Sequence, residues 1–108
     1  MNPEDQQVLK ALDAVRGKWK PLIIHRLTGG PRRFGELRRL VGGVTQKVLT
    51  QQLRELERDN LLARSTSTSP LRVDYRLTER GRSLSHILEQ MTLWAGRPPG
   101  APDSARTG

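Results

Sequence analysis

The chain has 108 residues, 34% of them hydrophobic and 4% aromatic, with 19 Lys and Arg against 11 Asp and Glu for a formal net charge of +8. A single domain this small buries proportionately little surface, so its thin core is expected to gain a further apolar contact from a second copy of the chain. The positive charge favours a polyanionic partner, nucleic acid ahead of an anionic membrane. The lack of cysteine excludes disulfides, thiol redox switching and cysteine metal sites. No apolar run approaches the roughly 18 residues of a spanning helix and no signal-peptide core precedes the domain, so the expected location is cytoplasmic, without a membrane partner.

Asn2-Pro3-Glu4-Asp5 has the composition of a helix start, with Asn as cap, Pro at the first helical position and acids at the positive end of the dipole. The helix is expected to run to about Val15, with Val8, Leu9, Leu12 and Val15 on one face. A second helix is expected from near Pro21, with Leu22, Ile23, Ile24 and Leu27 as core residues, stopped by Gly29-Gly30-Pro31. Phe34 opens a short third helix whose apolar side continues through Leu37, Leu40 and Val41, leaving Arg38 and Arg39 outside.

Gly42-Gly43 then turns the chain into its most informative stretch, Val44 to Asn60. At about 100° per residue, Val48, Leu49, Leu53 and Leu56 form one apolar stripe, and Lys47, Thr50, Gln51, Arg54 and Arg58 gather opposite. Thr45 suits the N-cap and Asn60 the left-handed position after the C-terminus. Taken alone, the helix reads equally as a DNA-recognition helix or as the solvated face of a basic protein. In the order short helix, glycine turn, capped helix, it reads as a helix-turn-helix. Beyond Leu62 the period becomes two: Val73, Tyr75 and Leu77 alternate with Arg72, Asp74 and Arg76, and the polar stretch Thr66-Ser67-Thr68-Ser69-Pro70-Leu71 is the expected tip of a two-stranded wing. Thr78 caps a last helix with Leu84, Ile87, Leu88, Met91 and Trp94 on one stripe, longer than one wing can cover. The expected organisation is a DNA-binding domain over residues 1–96 and a disordered tail over 97–108. The fold class is mainly α with a small β-hairpin: a winged helix-turn-helix with extra N- and C-terminal dimerisation helices.

Four blocks carry a family resemblance: Gly17-Lys18-Trp19-Lys20-Pro21-Leu22-Ile23; Gly30-Pro31-Arg32-Arg33-Phe34-Gly35-Glu36-Leu37; Thr45 through Glu57; and Val73-Asp74-Tyr75-Arg76-Leu77-Thr78-Glu79-Arg80-Gly81. In that order, over about residues 2 to 95, the chain resembles the HxlR-type winged helix-turn-helix transcriptional regulators of bacteria. The resemblance implies a cytoplasmic homodimer, assembled by its first and last helices, that binds a pseudo-palindromic operator with recognition helices in major grooves and wings beside them. Asn2-Pro3 stands where members of the family commonly carry the Cys-Pro used for electrophile or redox sensing. The wing is rich in Ser and Thr where prolines and an aromatic are usual, and Arg16 replaces a glycine.

Arg54 and Lys47, near the centre of the face opposite the stripe, are the first candidates for DNA contact. Thr45, Gln46, Thr50 and Gln51 complete the segment expected to read bases, with phosphate or water as the alternative partners. Arg58, at the far end, suits a phosphate or plain surface. Arg33 and Arg38, flanked by Arg32 and Arg39, surround the helix that crosses the backbone in this motif. Arg72, with Arg76, suits the flanking minor groove or a charged strand edge. The expected dimer interface is Val8, Leu9 and Leu12 with Leu84, Ile87, Leu88, Met91 and Trp94. Trp19 and Trp94 fit core or dimer contacts better than ligand stacking, and their surroundings are where a small-molecule effector of unspecified identity could bind. His25 and His86 lack a metal-site pattern, and Thr28-Gly29-Gly30-Pro31 is not a phosphate loop. The expectation is a sequence-specific regulator of transcription, a repressor, partnered by double-stranded DNA, nucleoid-associated when bound, with no cofactor, metal or enzymatic activity. A winged helix serving as a protein-interaction module is the alternative.

Overall fold

Local signals set the ends of most elements in the computed structural model, which describes residues 1–68 and 71–100. In chain order they are α1 (Pro3–Ala14), α2 (Trp19–Leu27), β1 (Arg32–Arg33), α3 (Phe34–Val41), α4 (Gln46–Arg58), β2 (Leu62–Thr68), β3 (Leu71–Leu77) and α5 (Glu79–Ala95). Three helices start on side-chain caps that satisfy otherwise orphan N–H groups. Asn2 Oδ1 accepts from Asp5 N at 2.8 Å, Thr45 Oγ1 from Val48 N at 3.1 Å and Thr78 Oγ1 from Gly81 N at 3.0 Å. The end of α4 is a Schellman arrangement. Asn60 takes φ +58°, its N–H donates to Glu57 O, and the Leu61 N–H reaches back to Leu56 O, both at 2.9 Å. Leu56 and Leu61 are both buried, supplying the apolar contact that accompanies this cap.

Two boundaries and one element differ from expectation. The second helix starts at Trp19, two residues before Pro21, because a proline in the first turn removes only an N–H that has no intrahelical partner. The wing is part of a three-stranded antiparallel sheet of order β1-β3-β2, in which Arg32 pairs with Tyr75 and Arg33 with Asp74. A two-residue strand has no period to detect. The hairpin strands also run further than expected, with Thr66 opposite Val73 and Thr68 opposite Leu71, as suits β-branched Thr. The expected turn at Ser69-Pro70 and residues 101–108 of the expected tail lie outside the described residues, while Arg97 to Gly100 are non-helical.

The core is made by α2 (Ile23, Ile24, Leu27), α3 (Leu37), Val44, α4 (Leu49, Leu53, Leu56) and the sheet side (Leu61, Leu62, Leu77). Leu22 is only half-buried and Leu40, expected inside, lies at the surface. No residue of α1 is buried, and in α5 only Gly81 is. Gly81 sits where α5 crosses the start of β2. A Cβ there would fall inside the contact radius of the Leu61 carbonyl oxygen and meet Leu77 Cδ2 at 3.2 Å. The same Leu61 oxygen accepts from Thr78 N at 3.1 Å, and Thr78 Oγ1 donates to Asn60 O at 2.7 Å. The end of α4 and the start of α5 are thus joined through backbone atoms.

Candidate nucleic-acid interface

The turn between α3 and α4 requires its glycines. Gly42 and Gly43 take φ +73° and +72°, a left-handed pair that residues with a Cβ rarely adopt. Arg38 reaches across this turn, its Nε donating to Val44 O at 3.2 Å. Val44 itself is buried beneath it, so α4 leaves the turn at an angle fixed from two sides. At the other end of α3, Glu36 Oε1 accepts from Arg33 N at 3.2 Å.

Leu49, Leu53 and Leu56 anchor α4 in the core, which places Lys47, Gln51, Arg54 and Arg58 on the side of the helix facing away from it. All four are exposed, as are Thr45 and Gln46, while Thr50 is half-buried. Gln46, Lys47, Thr50, Gln51 and Arg54 line one shallow concavity. Arg38 and Arg39 line a second with Gly42 to Thr45, and Arg33, Arg39 and Arg72 meet in a third beside Glu36. The structure therefore brings the expected wing residue Arg72 to the start of α3, making the cationic surface continuous from α4 across α3 to β3. Arg58 stands apart at the far end of α4. Arg32 faces inward: it is half-buried, with a solvent-inaccessible Nε.

Two side chains absent from the expected site shape it. Glu55, on α4, accepts from Gln51 Nε2 at 3.1 Å through one oxygen and pairs with Lys20 Nζ of α2 at 3.1 Å through the other. These hydrogen bonds, Lys20's first and Gln51's second, hold its carboxyl below the usual Glu range. The spacing of Gln51 and Glu55 was visible as an i,i+4 pair, whereas Lys20 lies 35 positions upstream with no local signal. Glu57 similarly pairs with Arg64 at 3.1 Å, tying the root of the wing to α4.

The expected dimer residues lie on α1 and α5 and line none of these three concavities. On α1, Val8, Leu9 and Leu12 are 55%, 49% and 58% exposed. On α5, Ile87, Met91 and Trp94 are 55%, 48% and 73% exposed, while Leu84 and Leu88 are half-buried against the core. An apolar trough between the two helices is lined by Leu12, Val15, Leu84, Ile87, Leu88 and Met91. Trp19 is half-buried against the core, with Lys18 Nζ 4.8 Å from its ring centre. Among the described residues, no three His, Asp or Glu converge as a metal-ligand set, and no helix is long and apolar enough to cross a membrane.

The family described as HxlR-like helix-turn-helix matches residues 14–99. The chain belongs to it. Helix-turn-helix transcriptional regulator YtcD of Bacillus subtilis (strain 168) is 48% identical over 84 residues, 77% of this chain and 67% of that protein. Among solved structures, a transcriptional regulator of the MarR family from Enterococcus faecalis V583 superposes with TM-score 0.80 at 38% identity, covering 88% of this chain and 87% of that one. The oxidized form of the redox regulator HypR superposes with TM-score 0.77 at 41% identity, covering 86% and 99%. This HxlR-like chain is accordingly a winged helix-turn-helix regulator of transcription of the DNA-binding kind. The chain carries no cysteine.

Proposed function

We propose that the protein is a homodimeric repressor that lays α4 of each protomer into successive major grooves of a pseudo-palindromic operator. The observation that carries this reading is the exposed face of α4, where Lys47, Gln51 and Arg54 stand directly opposite the buried leucines. Such long hydrogen-bonding side chains suit base edges and phosphates; a protein-interaction module would more often present apolar residues there. Thr45 to Arg54 read bases in this arrangement, with Thr50 at the edge of the face. Arg33 and Arg38 set register on phosphates, Arg38 through the guanidinium nitrogens that its bond to Val44 leaves free. Arg72 faces the flanking minor groove and Arg58 an outlying phosphate. Val8, Leu9 and Leu12 with Ile87, Met91 and Trp94 form the dimer contact, since these large apolar side chains stay exposed on both helices among the described residues. The protein acts in the cytoplasm, on the nucleoid, without enzymatic activity, cofactor or cysteine-based sensing.

The test is titration against operator, recovered by selection from random duplexes, and against scrambled DNA at two salt concentrations. Arg33→Ala is expected to weaken both and lower the salt slope by about one counterion per site. Arg54→Ala is expected to cost about 1–3 kcal/mol per half-site on operator while sparing scrambled DNA. Equal losses on both duplexes would make Arg54 a phosphate clamp, and a monomer mass by light scattering at micromolar concentration would refute the dimer.

A further inference from the structure

The Gln51–Glu55–Lys20 chain decides which atoms of Gln51 remain available to a base. An ionised carboxylate only accepts, so the Gln51 group facing Glu55 Oε2 is its amide nitrogen, at 3.1 Å. One N–H is thereby engaged, leaving Oε1 and a second N–H. That acceptor and donor match the N6 amine and N7 of adenine in the major groove. Glu55 is itself fixed: its other oxygen holds Lys20 Nζ at 3.1 Å, and the Lys20 side chain, only 13% exposed, is anchored in α2. The pairing also neutralises a carboxylate that would otherwise repel phosphates from the reading face.

We infer that Glu55 is a positioning residue for base selection: held by Lys20, it orients the Gln51 amide to favour adenine at one position of each half-site. This rests on the reading of α4 as the groove helix. The gain is preorganisation. A free Gln side chain samples several rotamers and must be ordered on binding, whereas this one is ordered beforehand.

The experiment is selection of bound duplexes from a library randomised across the half-site, followed by titration of the winning duplex and its single-base variants, with full-length wild type, Gln51→Ala, Glu55→Ala, Glu55→Gln and the Gln51→Ala/Glu55→Ala double variant. Wild type is expected to prefer adenine at one position by about tenfold or more. Glu55→Ala should cut that preference by about three- to tenfold while other positions keep theirs. Glu55→Gln, which removes the charge paired with Lys20 but retains an oxygen acceptor, should restore most of the preference; a merely structural ion pair would be lost in both variants. In the Gln51→Ala background the Glu55→Ala effect should vanish. If that effect persists there, Glu55 reads a base directly and the positioning role is overturned. Equal loss in Glu55→Ala and Glu55→Gln overturns it in favour of helix docking. If Gln51→Ala leaves every preference intact, the inference falls with its premise that Gln51 reads a base; loss of selection by wild type itself would instead refute operator reading as a whole.

Discussion

Replacing Gly81 by Ala is expected to destabilise the protein even though Ala is the better helix former. Propensity alone favours Ala by about 0.5–1 kcal/mol in a helix interior, and less in the first turn where Gly81 sits. Against this, the new Cβ would overlap the Leu61 carbonyl oxygen and press on Leu61 C and Leu77 Cδ2 at 3.1 and 3.2 Å. The obstacle is mainly backbone, which no rotamer change can move. Overpacking of this kind costs about 1–3 kcal/mol. Displacing Leu61 O also strains the bond it accepts from Thr78 N and, beside it, the bond from Thr78 Oγ1 to Asn60 O, each worth about 0.5–1.5 kcal/mol. The net loss is about 2–4 kcal/mol, a large fraction of a small domain's stability. It corresponds to a melting-temperature drop of about 10–20 °C for a domain of this size. The assay is thermal melting by far-ultraviolet circular dichroism at matched protein concentration, since an oligomer's midpoint depends on concentration. Gly35→Ala is the control: it lies in the first turn of α3, where the nearest atom to a new Cβ is Arg39 Nη1 at 3.7 Å, so it should be neutral or stabilising by up to about 0.5 kcal/mol. A Gly81→Ala protein melting at or above wild type would refute the argument.

Two further outcomes follow from the chemistry present. Because the chain has no cysteine, DNA binding should be unchanged by diamide at concentrations that oxidise thiols within minutes; release that a reductant reverses would contradict this. The Glu55 carboxyl is held below its usual range in the folded state by Lys20 and then Gln51, so the unfolded chain takes up its proton first as pH falls. Its contribution is present above the unfolded value and lost through the folded one, so wild type should lose more stability than Glu55→Gln between about pH 6 and about pH 3. Parallel stability curves in urea titrations across that range would remove the ion pair from the account.

Helices and caps were legible because their signals are local. As caps, Asn2, Thr45, Thr78 and Asn60 each act within about one turn of their own position, and the period of Leu49, Leu53 and Leu56 states which face of α4 is buried. What escaped was set by distant partners. Arg32 and Arg33 form a strand only because Tyr75 and Asp74 arrive beside them. Lys20 enters the site only because α2 packs across α4. Arg38 was expected outside α3 as a backbone contact, and its second task, closing the turn through Nε on Val44 O, had no local signal. Leu40 kept the helical period of α3 yet lies outside, since α3 has only 8 residues and buries a single one of them, Leu37. The chemistry of the α4 face was readable from residue types; the bond that orients one of its side chains was not.

The joint at Asn60, Leu61 and Thr78 bears on how a dimer could impose an operator spacing. α4 presents the candidate reading face and α5 the candidate dimer face, so their relative angle determines where two copies of α4 lie when two copies of α5 meet. A flexible loop between them would let that separation drift, and half-sites spaced by about one helical turn of DNA tolerate little drift. Here the end of α4 and the start of α5 are bonded to each other directly. The C-terminal cap of α4 is closed by Asn60 and Leu61 N–H groups, their carbonyl oxygens take both hydrogen bonds from Thr78, and Gly81 lets the first turn of α5 press directly on Leu61. The sheet intervenes in sequence, but its two long strands leave and return at this same point, with Leu62 paired to Leu77. In the proposed dimer, the apolar stripe of α5 and the polar face of α4 are therefore two faces of one rigid unit, and the distance between reading helices is inherited from the packing of the dimer helices.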